Sequence, residues 1–412
     1  MQPRRKTRNE RGKICHMRIG LLGGTFNPIH RAHVQMAQIA RDEAALDRVL
    51  LMVAADPPHK RVDEDVPASE RYRLVQIAVA GEERIEASDQ EIVRGGKSYT
   101  LLTLQELMQQ YPDAQISIII GSDTLSDLPN WYHPDEVLKL ADVLCVPRVG
   151  IDHNDAATAQ MLRERYGARV RILSAKADVI ASTEIRKRLL AGQPVEDVLP
   201  SAVAQALYEG GAYFSPEFQK MQEKCREALS PMRYSHVCGT MRAAAGLSVL
   251  WKQDPQKAQV AALLHDCAKC LPIRTQEILS GDESGISPVH HAFAGAVLAK
   301  MEYSVADETI LRAIRLHTTG DWGMTDFDAL VYAADLIEPT RDFSGVEEYR
   351  SRLSADIDGF MRYALLRVAQ LIERKGKRAH PASQRAIAWY EQKRTDDHTA
   401  KQQIGQYTEE KN

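Results

Sequence analysis

The feature that most constrains the fold is a change in sequence pattern near Gly192. From about residue 17 to about residue 190, short apolar runs alternate with amphipathic segments. The runs MRIGLLGG, DRVLLMVA, QISIIIGSD, DVLCVPR and VRILSA predict buried strands, and the segments between them predict helices. Strands and helices in alternation predict a doubly wound α/β domain, in which helices cover both faces of a parallel sheet.

After Gly192 the strand signals stop. Gly210 and Gly211 predict a break in regular structure. The segment SPEFQKMQEKCREAL then begins a region that has helical periodicity almost throughout. This region predicts a second domain that is all-α. The predicted divisions are a disordered basic arm at 1–16, the α/β domain at 17–211, the helical domain at 212–395 and a disordered polar tail at 396–412.

Length and charge exclude several classes of protein. A chain of 412 residues exceeds what one hydrophobic core usually spans, which agrees with two domains. The formal net charge of -3 argues against a general binder of nucleic acids or membrane surfaces. No apolar run is long enough to cross a bilayer, and the basic start lacks the apolar segment of a signal peptide. We therefore expect a cytoplasmic protein without nucleic-acid or membrane partners, and a homo-oligomer is possible. Its six cysteines are expected to be free thiols.

A phosphate-binding turn is predicted near the start of the α/β domain. Gly23, Gly24 and Thr25 follow the first predicted strand, where backbone N–H groups can approach phosphate oxygens, and a helix with an anion-favouring N-terminus begins soon after. His30 and His33 lie three residues apart at the start of that helix, so they share one face. They could donate hydrogen bonds to a triphosphate and stabilise charge on a pyrophosphate leaving group.

Three further segments follow later strands of the predicted sheet. They are DPPHK at 56–60, Gly121-Ser122-Asp123, and Ser182-Thr183-Glu184-Ile185-Arg186. The carboxyl ends of strands supply ligand-binding loops in open α/β sheets. The last segment would place hydroxyls, free N–H groups and a guanidinium near the β- and γ-phosphates.

In order along the chain, GGTFNPIHRAH, DPPHK, SYT at 98–100, GSDTLSDLPNWY and STEIR resemble the motifs of the bacterial nicotinate-nucleotide adenylyltransferases. These enzymes are members of the nucleotidyltransferase superfamily with an H-x-G-H motif, and the resemblance covers about the first half of the chain. It implies adenylyl transfer from ATP to nicotinate mononucleotide with Mg²⁺, which releases pyrophosphate and forms deamido-NAD. The alternative acceptor is the amidated nicotinamide mononucleotide.

The same resemblance implies roles for individual residues. His30, His33 and Arg186 are the expected catalytic residues. The expected ATP-binding residues are Gly24, Thr25, Phe26, His30, His33, Gly121, Asp123, Ser182, Thr183 and Arg186. The expected nicotinate-nucleotide-binding residues are Lys60, Tyr99, Thr100 and Trp131. Ala32 stands where the family usually has glycine, which implies a less tight packing of adenine but not another reaction.

A scattered set of histidines and aspartates marks the second half of the chain. The set is His236, His265, Asp266, His291, His317 and Asp335, and its members lie within apolar helical patterns. Burying these side chains without a metal or a partner would cost several kcal/mol. Imidazole and carboxylate suit Fe, Mn or Zn, and a helical bundle is a common scaffold for such sites. The set therefore predicts a two-metal hydrolase in which Asp266 lies between the ions. The spacing H-x-x-x-G-A selects His291 over His290.

The segments RYSHVCGT, LLHDCAK, HAFAGA, HTTG and ADLIEPTRDFSGV resemble the HD-domain superfamily of metal-dependent phosphohydrolases, and more narrowly its YqeK-like family. The resemblance implies symmetrical cleavage of diadenosine tetraphosphate to two ADP, with Asp266 as a catalytic residue and Lys269 and Arg341 binding substrate phosphates. The two divalent metals are expected to be iron, with manganese as the alternative. Other readings are a different nucleotide substrate or a non-catalytic nucleotide sensor. The chain is thus predicted to be a bifunctional enzyme.

Overall fold

The computed structural model describes residues 16–57, 66–150 and 154–394. They form two compact units. The first comprises the chain up to Lys187 together with Val195–Ala206, and the second comprises Arg188–Pro194 together with the chain from Leu207 onwards. Lys60, residues 1–15 of the predicted arm and the whole predicted tail lie outside the described residues. Among the described helices, none is both long and apolar enough to cross a membrane.

A six-stranded parallel sheet forms the centre of the first unit. Its strands are β1 Arg18–Gly24, β2 Arg48–Val53, β3 Ile85–Ser88, β4 Gln115–Gly121, β5 Asp142–Val146 and β6 Val170–Ile172. They are ordered β3-β2-β1-β4-β5-β6, and every pair is parallel. The central strands are buried almost along their whole length, as expected for a sheet covered on both faces. The predicted α/β class is confirmed, and β3 is a strand that the sequence pattern did not predict.

Helices flank this sheet. They are α1 Arg31–Glu43, α2 Ala68–Ala78, α3 Gln90–Arg94, α4 Thr100–Gln110, α5 Ser122–Asp127, α6 Pro134–Leu140, α7 Asp155–Tyr166, α8 Ser182–Leu190 and α9 Ser201–Gly210. A short 3₁₀ turn spans Leu128–Asn130. The predicted strand QISIIIGSD ends two residues early, because Ser122 and Asp123 already belong to α5.

The strand order reverses between β1 and β4. From β1 the chain moves outwards through β2 and β3, and it then returns to the other side of β1 with β4. Gly24 and Gly121 end these two adjacent strands, so the segments that follow them diverge and leave a crevice. Open α/β sheets bind ligands in the crevice at such a switch point.

The second unit is helical, as predicted. Its helices are α10 Pro216–Ala228, α11 Pro231–Leu250, α12 Pro255–Leu264, α13 Ile273–Ser280, α14 His290–Glu302, α15 Glu308–Leu316, α16 Asp326–Ile337, α17 Val346–Ser351, α18 Ile357–Arg374 and α19 381–394. A 3₁₀ turn precedes α14 at Ser287–Val289.

Polar N-caps define where several of these helices begin. The side chains of Ser230, Asp254 and Asp307 accept hydrogen bonds from backbone N–H groups of α11, α12 and α15. A proline follows the cap directly in α11 and α12, where its missing N–H costs nothing. Helix α11 packs against α12 and α16, and α15 packs against α14 and α16. These helices surround the centre of the second unit, where the predicted metal ligands lie.

Candidate active sites

A cavity of about 700 Å³ opens at the switch point of the sheet. Most of the residues predicted to bind nucleotides line it. Those on the β1 and α1 side are Gly24, Thr25, His30 and His33, and those on the other side are Gly121, Asp123, Ser182, Thr183 and Arg186, with Thr100 and Trp131. The structure therefore brings residues from five distant segments of sequence to one cavity.

His30 and His33 form a stacked pair on the β1 and α1 side of the cavity. Their ring centroids lie 3.6 Å apart, with 18° between the ring planes. The backbone N–H of His30 donates to Nδ1 of His33 over 3.3 Å. Because Nδ1 accepts, the proton of a neutral His33 lies on Nε2, where it can donate to a ligand oxygen. Phe26 is buried, and its ring packs edge-on against His33 at 5.0 Å, so it supports the pair from behind.

His30 is an uncharged hydrogen-bonding group at neutral pH. Burial, reinforced by the positive charge of Arg148, lowers its pKa from 6.5 to about 3. His30 is the N-cap residue of α1, where its side chain and that of His33 form a capping box. The same ring lines the cavity.

The start of α8 is fastened to the loop that follows β1. The hydroxyl of Ser182 donates to the carbonyl of Pro28 over 3.0 Å, and Nη1 of Arg186 donates to the carbonyl of Asn27 over 2.8 Å. These bonds hold the N-terminus of α8 beside His30 and His33. The free N–H groups of a helix N-terminus and a guanidinium together favour binding of phosphate.

The β4 side of the cavity carries a charged pair. Asp123 lies 3.9 Å from the guanidinium of Arg148, which also donates to the carbonyl of Asp178 over 3.2 Å. A Cβ on Gly121 would collide with the Asp123 side chain and make a tight contact with Arg148, so glycine lets this pair approach the end of β4. Ala32 is fully buried and does not line the cavity among the described residues, which weighs against an effect of its methyl group on adenine.

Aromatic side chains lie near the expected nicotinate site. Trp131 is partly buried and lines the cavity. Tyr99 stacks on Tyr132, with centroids 4.3 Å apart and 27° between the planes. Ser98 accepts hydrogen bonds from the backbone N–H groups of Ala55 and Asp56, so the SYT segment is tied to the loop after β2.

Arg71 is a residue that the sequence analysis missed. It belongs to α2 and is almost completely buried, and its guanidinium donates to the carbonyls of Thr25 over 2.5 Å and Ala55 over 3.5 Å. It therefore joins the loops that follow β1 and β2. An arginine on the apolar face of the predicted helix ASERYRLVQIAVAG was the only available signal.

The second unit contains the predicted histidine and aspartate cluster. His236 lies on α11, His265 and Asp266 follow α12, His291 lies on α14, His317 follows α15, and Asp335 lies on α16. Two sets of ligand atoms each lie within 4.8 Å of one another: those of His236, His265 and Asp335, and those of His265, Asp266 and His317.

Asp266 lies between two halves of this cluster. Its Oδ2 atom is 3.8 Å from Nε2 of His236 and 3.7 Å from Nε2 of His265. Its Oδ1 atom is 3.2 Å from Nε2 of His291 and 3.7 Å from Nε2 of His317. Asp335 completes the first half, because its Oδ1 lies 3.1 Å from Nε2 of His236. We call His236, His265 and Asp335 the first half-site, and His291 and His317 the second half-site.

The histidine side chains are oriented by bonds on the far side of their rings. Nδ1 of His265 lies 2.7 Å from the carbonyl of Ala262, and Nδ1 of His317 lies 2.7 Å from the carbonyl of Ile314. Nδ1 of His236 lies 3.0 Å from Oε1 of Glu338, another residue that the sequence analysis missed. In each ring Nδ1 donates to an oxygen, which leaves Nε2 as the atom directed into the cluster.

The charge states suit metal ligands. Burial lowers the pKa of His265 to about 4 and that of His291 to about 2, so both imidazoles are neutral near pH 7. Burial by itself would raise the pKa of Asp266, but His265, His317, His291 and Lys269 outweigh it and hold the pKa well below its usual range. In contrast, hydrogen bonds to Asp335 and Glu338 outweigh burial and raise the pKa of His236. Imidazoles converging on the carboxylates of Asp266 and Asp335 fit a divalent metal centre.

Three cationic side chains surround this cluster. Nη1 of Arg233 donates to Oδ2 of Asp266 over 2.8 Å, and Arg341 donates to Oδ1 of Asp335. Nζ of Lys269 lies 3.0 Å from Nε2 of His291, and burial lowers the pKa of Lys269. The sequence analysis named Lys269 and Arg341 but missed Arg233, which is signalled only by its position three residues before His236. His290 lies beside Asp282 at 3.2 Å instead of joining the cluster.

Comparisons with known proteins agree with this division. Residues 21–188 match the Cytidylyltransferase-like family, and residues 233–340 match the HD domain family. The chain is 42% identical over 202 residues to a protein of Synechococcus sp. (strain JA-3-3Ab) named as a probable nicotinate-nucleotide adenylyltransferase, covering 48% of this chain and 96% of the relative. A protein of Gloeobacter violaceus with the same name is 39% identical over 200 residues, covering 48% of this chain and 97% of the relative.

One solved structure is similar to part of the chain. It is a crystal structure of a predicted HD superfamily hydrolase involved in NAD metabolism from Clostridium acetobutylicum, 30% identical, covering 43% of this chain and 97% of that one, with a TM-score of 0.41. A TM-score of this size does not establish a shared fold, so the HD domain rests on the family match and the geometry of the cluster. The chain belongs to the nicotinate-nucleotide adenylyltransferase family through its first half, and it carries an HD domain in its second half.

Proposed function

We propose that the first unit transfers the adenylyl group of ATP to nicotinate mononucleotide, forming deamido-NAD and pyrophosphate. The observation that carries this proposal is the cavity at the switch point, where the stacked His30 and His33 face the N-terminus of α8. Relatives that match almost over their whole length are named for this activity.

The reaction needs an attack by the phosphate of the acceptor on the α-phosphorus of ATP, with pyrophosphate leaving. The Nε2–H group of His33 and the guanidinium of Arg186 can donate to pyrophosphate oxygens as their negative charge grows. His30 contributes a neutral hydrogen bond, because burial keeps its ring uncharged at pH 7. Mg²⁺ bound with ATP would neutralise part of the phosphate charge.

The acceptor would lie on the side of the cavity where Trp131, Thr100 and the Tyr99 stack are located. A pyridine ring can stack on the face of an indole, and the backbone N–H groups and hydroxyls nearby can bind a carboxylate. Lys60 stays a predicted phosphate contact. Cytoplasmic location and homo-oligomerisation likewise stay predictions from the sequence.

The test supplies the full-length chain with MgATP and either nicotinate mononucleotide or nicotinamide mononucleotide, and separates the products by chromatography. We expect deamido-NAD and pyrophosphate in equal amounts, with a clear preference for the acid acceptor. A preference for the amide would establish the alternative adenylyltransferase. Formation of neither dinucleotide would reject the proposal.

We propose that the second unit hydrolyses diadenosine tetraphosphate symmetrically to two ADP. The observation that carries this proposal is Asp266, whose two oxygens face separate pairs of imidazoles. Carboxylates that lie between two metal ions are typical of two-metal phosphohydrolase sites. His236, His265 and Asp335 would hold one metal, His291 and His317 the other, and Asp266 would contact both.

Two divalent metals, iron or manganese, would polarise the attacked phosphate and activate a water molecule when bound. The protein would supply positive charge around them. Lys269 is partly buried beside His291, and Arg341 is one-third exposed beside Asp335, so both can reach phosphates of a chain that passes over the cluster. A substrate with several phosphates matches this distribution of positive charge better than a neutral ester does.

The test incubates the full-length chain with diadenosine tetraphosphate and Mn²⁺, or with Fe²⁺ under anaerobic conditions. We expect ADP as the only nucleotide product, and none from the Asp266→Asn variant. AMP together with ATP would show asymmetric attack. No cleavage with either metal would favour a nucleotide sensor or another nucleotide substrate.

A further inference from the structure

We propose that Glu338 is a positioning residue that sets the metal affinity of the first half-site by holding His236 in its ligating orientation. The inference rests on the proposed metal function of the second unit. Glu338 is not itself one of the predicted metal ligands of the cluster. Its side chain is only 1% exposed, so whatever it does takes place inside the protein.

Glu338 is itself held firmly. Its Oε1 atom lies 3.0 Å from Nδ1 of His236 and accepts a hydrogen bond from the hydroxyl of Thr340 over 2.7 Å. Its Oε2 atom accepts from the backbone N–H of Thr340 over 2.6 Å. The two bonds from Thr340 make the carboxylate a rigid acceptor, so the imidazole that donates to it is fixed as well.

Glu338 directly follows α16, the helix that carries the predicted ligand Asp335. It is the C-cap residue and lies three residues after Asp335, so both side chains belong to the C-terminal end of this helix. Asp335 reaches Nε2 of His236 at 3.1 Å, while Glu338 reaches Nδ1 of the same ring at 3.0 Å. One helix end therefore supplies both the ligand beside His236 and the group that orients it.

Helix α11 contributes the space that this arrangement needs. Gly239 lies three residues after His236, and a Cβ at that position would collide with Oε2 of Glu338. Any larger residue at 239 would push the carboxylate away from the His236 ring. The glycine in RYSHVCGT thus has a specific purpose, which is to let Glu338 approach the histidine.

The chemical consequence is local to one half of the cluster. A carboxylate that accepts from Nδ1 fixes the ring and increases the basicity of Nε2, and mutating such partners typically lowers metal affinity by about 10- to 100-fold. His265 and His317 have backbone carbonyls in this position instead. Because Glu338 contacts only His236 among the cluster histidines in the described structure, the second half-site should not depend on it.

The experiment titrates Mn²⁺ into full-length protein freed of metal, and follows binding by calorimetry and by the electron paramagnetic resonance spectrum of bound Mn²⁺. The variants are Glu338→Gln, which keeps the size but removes the charge, and Gly239→Ala, which displaces the carboxylate from the other side. Two controls match them. Gly246→Ala lies on the same helix with open space around it, and Glu347→Gln removes a carboxylate that is 79% exposed.

We expect wild type and both controls to bind two Mn²⁺ with a spin-coupled spectrum. Glu338→Gln and Gly239→Ala should each weaken one of the two binding events by about 10- to 100-fold and give a mononuclear spectrum at concentrations that saturate wild type. The other binding event and the unfolding temperature of the metal-free protein should stay close to those of the controls.

Two results would overturn the inference. Wild-type affinity for both metals in Glu338→Gln would show that the carboxylate does not support the site. Equal weakening of both events, together with a lower unfolding temperature, would show a general structural role. If wild type itself binds no Mn²⁺ or Fe²⁺, the proposed metal function fails first, and this outcome is distinct from the other two.

Discussion

Acidification should destabilise the first unit through His30. Burial, aided by Arg148, lowers the pKa of this imidazole from 6.5 to about 3 in the folded protein. In the unfolded chain the ring titrates near 6.5, so between these two values the unfolded state binds more protons than the folded state. The contribution of His30 to stability is therefore fully present above about pH 6.5 and is lost as the pH falls towards about 3.

The size of the effect follows from the difference between the two pKa values. A pH of 5 lies about 1.5 units below the pKa of the unfolded imidazole, which is therefore protonated, while the folded ring is still neutral. The free energy of unfolding consequently falls by about 2 kcal/mol relative to pH 7. Only 2% of His30 is exposed, so solvent screening reduces this figure little.

Hydrogen exchange followed by mass spectrometry can measure this loss in the first unit alone. Peptides that cover β1 and β4 report its opening free energy at pH 7 and pH 5, after correction for intrinsic exchange rates. The His30→Gln variant should lose about 2 kcal/mol of the pH dependence. Equal pH dependence in wild type and His30→Gln, or a His30 ring that titrates near 6.5 by nuclear magnetic resonance, would refute the reasoning.

Three further changes have expected outcomes. Trp131→Ala should raise the KM for nicotinate mononucleotide by about 10-fold while that for ATP stays constant, as measured by initial rates, because a stacking face is lost. Arg71→Met should lower the opening free energy of β1 by about 2 kcal/mol or more and reduce adenylyl transfer, since the carbonyls of Thr25 and Ala55 lose their donor. Lys269→Met should raise the KM for diadenosine tetraphosphate by about 10-fold or more without loss of bound Mn²⁺, because a charge-assisted hydrogen bond to phosphate disappears. An unchanged KM in Trp131→Ala or Lys269→Met, or unchanged hydrogen exchange of β1 in Arg71→Met, would contradict the corresponding prediction.

Sequence periodicity was sufficient for most of the fold because buried parallel strands are continuous apolar runs. The strand β3, with the sequence IEAS, was not predicted because it lacks such a run. It is a four-residue edge strand with only Ile85 buried, so it has no apolar run to recognise. Its place in the sheet depends on pairing with β2, which is a tertiary contact.

The residues that line the candidate sites were easier to predict than those that support them. Histidines and aspartates in apolar helices stand out because burying them is costly. Glu338 and Arg71 belong to segments whose composition is ordinary for a helix end and an amphipathic helix. Their importance comes from partners that are 102 residues away in one case and 46 in the other. Such pairings cannot be read from spacing, because the fold alone brings the partners together.

The central claim is that one chain carries two chemically independent sites. It is tested most directly by measuring deamido-NAD formation in wild type, His33→Ala and Asp266→Asn under identical conditions. We expect the rate to fall by about 10²-fold or more in His33→Ala, which loses a donor to the leaving group, and to stay at the wild-type level in Asp266→Asn. Wild-type turnover in His33→Ala, or loss of adenylyl transfer in Asp266→Asn, would contradict the account.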